Sequence, residues 1–316
     1  VRWYVRPAKE NDLPAVEVTR LTKRYGTLEA VRGIDFSVEA GEVFALLGPN
    51  GAGKTSTLEV LEGFSRRSGG EVRVLGVDPE RADREWRERV GIVLQGAVIE
   101  PYLKVREVLR RNAGYYPRPR AVDDVLDLVG LADKADARVK TLSGGLQRRL
   151  DVGLGIIGAP ELLFLDEPTT GFDPSARRGA WELVEKLKGE GTTIILTTHY
   201  MDEAQHLADR VVVINRGEIV AAGTPETIGG RAKAAARIRF ALPPGVAPPS
   251  LGVAVARDGP SAFTMESTDE VRTLHALTSW ALDNEVELIG LTVDRPSLED
   301  VYIELTSSGP SPEVTP

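Results

Sequence analysis

The chain has 316 residues and is 42% hydrophobic, enough to bury one large domain and a smaller appendage. It has no cysteine, which removes disulfide frameworks, thiolate zinc sites and cysteine nucleophiles, and fits a reducing compartment. A net charge of −8 argues against sequence-independent nucleic-acid binding as the main task.

Taken in chain order, Val1 to Asp12 carries early charges and no apolar stretch, unlike a secretory leader. Val16 to Leu21 and Gly33 to Val38 read as strands, and Glu42 to Leu47 as a buried one. A helix is expected over Lys54 to Gly63, then strands at Glu71 to Leu75 and Arg89 to Leu94. Helical stretches follow at Lys104 to Asn112 and Ala121 to Val129, separated by a turn around Pro117 and Pro119. Ser143 should cap a helix running from Gly144 to Ile157. Leu162 to Leu165, Thr192 to Thr197 and Arg210 to Ile214 have the continuous apolar character of buried parallel strands, with a helix at Ser175 to Lys188. This alternation predicts an α/β fold with a mostly parallel sheet covered on both faces. No apolar run approaches the roughly 18 residues needed to cross a bilayer; Val152 to Leu165 is broken by Gly158, Pro160 and Glu161.

The character changes near residue 230. An Ala/Arg-rich segment and a Pro-rich loop, Pro243 to Ser250, lead into two short strand patterns and a helix at Asp269 to Leu282. A strand at Val286 to Val293 and a helix at Ser297 to Leu305 close an expected small α+β appendage. The Ser/Pro-rich residues from Thr306 to Pro316 are expected to be disordered. The expected organisation is a 1–14 tail, a main domain over 15–230, an accessory domain over 231–306 and a 307–316 tail.

Two motifs carry chemistry in their own right. Gly48 to Thr55 (GPNGAGKT) follows a strand and opens a helix, the context of a phosphate-binding loop. Backbone N–H groups from Gly48, Pro49–Asn50, Gly51, Ala52 and Gly53 onward, with the helix start at Lys54, Thr55 and Ser56, would cradle phosphates; proline itself has no N–H to give. Lys54 would reach the β- and γ-phosphates and the Thr55 hydroxyl would ligate Mg²⁺. Leu162 to Glu167 (LLFLDE) delivers two acids at a strand's C-terminal end, where ligand sites lie in such sheets. Asp166 would assist the metal and Glu167 would act as general base on the attacking water.

With Thr141 to Leu150 (TLSGGLQRRL) these motifs stand in the order of the ATP-binding subunits of ATP-binding-cassette (ABC) transporters, which the chain resembles over Val16 to Thr227. The resemblance implies a P-loop NTPase cassette with a mostly parallel core sheet, an antiparallel β-subdomain and a helical subdomain. It makes Tyr25 the aromatic that stacks on adenine and Gln95 the loop glutamine that touches Mg²⁺ or the lytic water. Ser143, Gly144 and Gly145 become a signature motif that completes a partner's ATP site, Asp173 part of a loop crossing the dimer interface, and His199 the γ-phosphate switch. Tyr25 as simple packing, Gln95 as a capping amide and His199 as a structural histidine stand as alternatives. His206 and His275 read as structural or solvated, and Tyr115 and Tyr116 as a packed turn. The glutamine usual after the paired glycines is replaced by Leu146, with Gln147 following.

The implied partners are a second ATPase subunit and separate transmembrane permease subunits, with the chain peripheral on the cytoplasmic face of the membrane and no nucleic-acid role. HYMDEA at His199 to Ala204, RGEIVAAGTP at Arg216 to Pro225 and PSLEDVYIELT at Pro296 to Thr306 resemble drug- and polysaccharide-exporter ATPases of the daunorubicin-resistance type. Multidrug efflux and antibiotic resistance belong to that likeness. A soluble mechanochemical ATPase acting on ribosomes or DNA, and a non-catalytic regulator, are the competing classes. Nothing in the chain selects the cargo.

Overall fold

The computed structural model describes residues 13–94 and 99–307. Val1–Asp12, the Gln95 segment and the last nine residues of the expected tail lie outside the described residues. The chain divides into two compact units, Val1–Pro225 and Glu226–Pro316, a few residues before the expected boundary.

In the first unit β1 (Val16–Tyr25) pairs antiparallel with β2 (Leu28–Val38), and β3 (Val43–Leu47) is buried at every residue. After α1 (Lys54–Leu61), β4 (Gly69–Val74) returns to pair with β1, so one sheet runs β2-β1-β4. A short α2 (Arg84–Glu88), capped by Asp83, leads to β5 (Val90–Val93). The helices α3 (Val105–Ala113) and α4 (Val122–Leu128) bury one apolar stripe each, and α5 (Gly144–Ile156) packs beside both.

β6 (Leu162–Asp166), α6 (Pro174–Gly189), β7 (Thr193–Thr197), α7 (Met201–Leu207), β8 (Arg210–Asn215) and β9 (Glu218–Gly223) complete the unit. The central sheet runs β5-β6-β7-β3-β8-β9, parallel except for β9. Its strands are continuous runs of Val, Ile and Leu because helices or the smaller sheet exclude water from both faces. One core cluster joins Val16, Leu21 and Val38 of the antiparallel sheet to Phe44, Phe164 and Ile195 of the central one. Phe36 stacks on Phe44 at 5.3 Å across that junction, and the Trp86 indole N–H donates to the Val74 carbonyl at 2.8 Å. Helix α5 lies close on β5: a Cβ at Gly155 would come within 2.5 Å of the Val93 side chain, and one at Gly91 within 2.3 Å of the Gly155 carbonyl.

The second unit has the sheet order β11-β12-β10-β13, built from β10 (Ala236–Ala241), β11 (Val255–Arg257), β12 (Ala262–Ser267) and β13 (Ile289–Asp294). Its own core, Ile238, Phe240, Phe263, Met265 and Leu277, is closed by α8 (Glu270–Asp283), which Asp269 caps. Helix α9 (Leu298–Ser307) takes in Thr306 and Ser307, which composition had assigned to the tail. Among the described residues no helix is long and apolar enough to cross a membrane.

Candidate functional site

Strand β3 delivers Gly48 to the C-terminal edge of the central sheet. A Cβ at Gly48 would sit 2.3 Å from the Ile214 carbonyl, and one at Gly53 2.5 Å from that of Ala30, so backbone alone fits there. Gly53 enters α1 with φ +108, a left-handed conformation that glycine alone takes without strain. The loop thus wraps the start of α1, with Asn50, Gly51 and Thr55 exposed and Ser56 half-buried. Lys54 is buried, and its Nζ donates to the loop's own carbonyls, Gly48 at 2.6 Å and Pro49 at 3.2 Å. Burial pulls its pKa down, while the nearby Glu167 and Asp166 oppose that. A lysine held this way is placed to exchange carbonyls for phosphate oxygens.

Beside it, β6 ends at Asp166 and β7 at Thr197, paired in register. The Thr197 hydroxyl donates to Asp166 Oδ1 at 2.5 Å and accepts from the Glu167 N–H at 3.1 Å. Glu167 has φ +46, a strained conformation for a residue with a side chain. Its Oε1 lies 3.5 Å from His199 Nδ1, and the imidazole packs tilted against the Tyr200 ring, centroids 4.1 Å apart. Lys54, Asp166, Glu167 and His199 therefore converge where β3, β6 and β7 end.

Further out, the Tyr25 ring is 46% exposed; its hydroxyl donates to Glu59 Oε2 at 3.2 Å and Lys23 Nζ lies 4.7 Å from the ring centroid. The ring is thus anchored and left accessible. Asp173 accepts from the N–H groups of Ser175 and Ala176, each at 2.9 Å, and caps α6 ahead of Pro174. Ser143 caps α5, accepting from Leu146 N–H at 3.4 Å. A Cβ at Gly144 or Gly145 would meet nothing within 4 Å, so this helix start is open in front. Gln147 turns back to donate to the Leu142 carbonyl at 3.2 Å and does not stand in for the glutamine that Leu146 replaces.

Gln95 lies outside the described residues. His206 packs tilted against Trp181 and lies 3.3 Å from Glu185, with none of the catalytic candidates among these partners. Tyr115 is exposed, whereas Tyr116 packs its ring over Gly158. Two residues at the acid pair escaped sequence reasoning, Thr197 and Arg148. Thr197 sits two positions before His199 and was visible only as one more strand residue. Arg148 acts on main-chain carbonyls, which leave no mark in a motif.

Glycine loop, buried lysine and paired carboxylates at the edge of a parallel sheet flanked by an antiparallel one define a P-loop ATPase of the cassette type. Residues 31–170 match the family described as ABC transporter, and residues 236–297 match a C-terminal domain described as ABC transporter domain-containing protein-like. The chain is 39% identical over 309 residues to the daunorubicin resistance ATP-binding protein DrrA2 of Streptomyces coeruleorubidus, covering 92% of this chain and 95% of that one. It is 42% identical over 219 residues to the Nod factor export ATP-binding protein I of Paraburkholderia xenovorans, covering 68% and 72%. A solved ATP-binding subunit of an ABC transporter matches with TM-score 0.62 and 26% identity, over 67% of this chain and 90% of that one. A dimeric bacterial ABC transporter cassette, 22% identical with TM-score 0.60, covers 66% and 98% and shares the fold. The chain belongs to the ATP-binding subunits of ABC transporters, and it is an ATPase that hydrolyses ATP for transport.

Proposed function

We propose that this subunit powers a separate transmembrane permease that exports a drug-like, lipid or glycan substrate, working as an ATP-bridged homodimer on the cytoplasmic face of the membrane. The observation that carries it is the convergence of Lys54, Asp166, Glu167 and His199 at one sheet edge while the Ser143 helix start stays open for a second molecule. The relatives named for daunorubicin resistance and Nod factor export support the exporter reading.

In this reading the phosphates lie on the N–H groups between Gly48 and Ser56, and the adenine stacks on Tyr25. Lys54 leaves the Gly48 and Pro49 carbonyls to hold the β- and γ-phosphates. Among the described residues no cluster of three His, Cys, Asp or Glu side chains could cage a metal. A hydroxyl, Thr55, and a carboxylate, Asp166, do fit Mg²⁺, which prefers few protein ligands together with phosphates and water. Gln95 would complete the set, and the ion would neutralise charge developing on the transferred phosphoryl group. Glu167 accepts a proton from the water as its oxygen bonds to the γ-phosphorus and the bridging bond to ADP breaks. His199, beside that carboxylate, holds the γ-phosphoryl oxygens. Ser143, Gly144 and Gly145 present a second helix N-terminus to the partner's nucleotide, with Asp173 on the same interface.

The test is a pull-down from detergent-solubilised native cells with tagged Glu167→Gln and ATP, read by mass spectrometry. Recovery of a protein with several membrane spans supports the exporter; recovery of ribosomal or chromosomal proteins alone would replace it with the soluble mechanochemical class.

A further inference from the structure

None of these steps uses Arg148, yet its side chain is only 11% exposed. It projects from α5 five positions after Ser143. Its Nη2 donates to the Asp166 carbonyl at 2.6 Å and to that of Glu167 at 3.3 Å, and its Nε to that of Pro168 at 3.3 Å. Nη1 donates to the Leu94 carbonyl, immediately before Gln95. All four acceptors are main-chain oxygens at or just beyond the C-terminal ends of β5 and β6. A planar fork with five N–H donors can serve them together, whereas an ammonium offers three donors from one point. The carboxylate of Asp151 lies 4.0 Å from the guanidinium.

These contacts bear on Glu167 directly. A left-handed glutamate persists only where its surroundings hold it from both sides. Here the N–H is held by Thr197, to its hydroxyl at 3.1 Å and its carbonyl at 3.2 Å, and the carbonyl is held by Arg148. The same guanidinium also holds the carbonyl of Leu94, the residue that follows β5. Because α5 is one continuous helix, a force on Ser143 reaches the backbone of Glu167 through a single side chain.

The geometry points to Arg148 as a positioning residue that ties the partner-facing start of α5 to the backbone of Glu167 and to Leu94 at the end of β5. This rests on Glu167 being the base. The test uses the full-length chain carrying Arg148→Lys or Arg148→Gln, each in the wild-type and the Glu167→Gln background. ATP affinity is read by titration and the hydrolytic step by single-turnover kinetics. Displacing a reacting group by about 1 Å costs up to about 100-fold, so the hydrolytic rate should fall about 10- to 100-fold while ATP affinity changes less than about 2-fold. In the Glu167→Gln background the added loss should shrink to less than about 3-fold, because residues acting as a unit are not additive. Loss of ATP affinity in step with rate, or an equal loss in both backgrounds, would overturn the proposal and leave Arg148 a folding residue. If Arg148→Gln fails to fold, Arg148→Lys, which keeps the charge beside Asp151, carries the same comparison. Wild-type turnover by Glu167→Gln alone would sink the base assignment itself, a result independent of any Arg148 variant.

Discussion

Replacing Thr197 by valine removes one hydroxyl from a fully buried position and keeps the side-chain volume. That hydroxyl makes two hydrogen bonds, to Asp166 Oδ1 at 2.5 Å and from the Glu167 N–H at 3.1 Å. The Glu167 N–H keeps a second acceptor in the Thr197 carbonyl at 3.2 Å, so the net loss is one charge-assisted bond. Such a bond is worth about 1.5–3 kcal/mol, and the lower end applies because half-buried Asp166 can recruit water instead. For a unit of this size that lowers Tm by about 3–6 °C. The catalytic cost should be larger, because Asp166 loses its lateral anchor; we expect kcat about 10-fold down. Thr197→Ser, which keeps the hydroxyl, should lose about 1 kcal/mol of packing and retain most of its turnover. Urea unfolding and steady-state ATPase assays on both variants suffice. Valine matching wild type in rate, or serine falling as far as valine, would refute the assigned role of the hydroxyl.

Three further outcomes follow from particular contacts. Glu62 is 5% exposed, and burial, with Asp166 and Glu59 nearby, raises its pKa from 4.5 to about 7. The native state therefore binds this proton more tightly than the unfolded chain, and stability falls as pH rises from about 4.5 to about 7, by roughly 3 kcal/mol if the whole shift counts. Glu62→Gln should flatten that slope in urea titrations and gain stability relative to wild type above pH 7; parallel pH profiles would contradict it. A Cβ at Gly158 would lie 2.4 Å from the Tyr116 ring, so Gly158→Ala should cost about 1–3 kcal/mol in wild type and much less in a Tyr116→Ala background. Equal costs in both backgrounds would show that the ring is not the obstacle. Tyr25→Ala should weaken ATP binding by about 1–3 kcal/mol in a nucleotide titration, whereas Tyr25→Phe, losing only the bond to Glu59, should stay close to wild type.

What the sequence exposed was whatever chemistry is written in contiguous residues. GPNGAGKT carries its own backbone geometry, and the four apolar residues before Asp166 announce a buried strand, so both ends of the site could be placed by number. Strand β9 was hidden because Ala221, Ala222 and Gly223 are poor strand formers, and only pairing with β8 makes them one. Strand β10 reads as an Ala/Arg-rich segment, yet Ala236, Ile238 and Phe240 point inward and the charge of Arg237 and Arg239 masks the alternation. Strand β1 runs past Leu21 to Tyr25, because pairing with Leu28 carries it through the charged residues between. Arg148 and Thr197 were missed for another reason. Their partners are main-chain atoms or groups some twenty to fifty residues away, brought together only when β5, β6, β7 and α5 assemble.

The ATP-bridged dimer is tested most directly by sedimentation velocity of Glu167→Gln with Mg²⁺ and ATP, against ADP and against the same protein also carrying Lys54→Ala. A dimer with ATP and a monomer in both controls are expected. A monomer in all three conditions, with ATP binding intact, would contradict an ATP-bridged dimer and remove the role given to Ser143, Gly144 and Gly145.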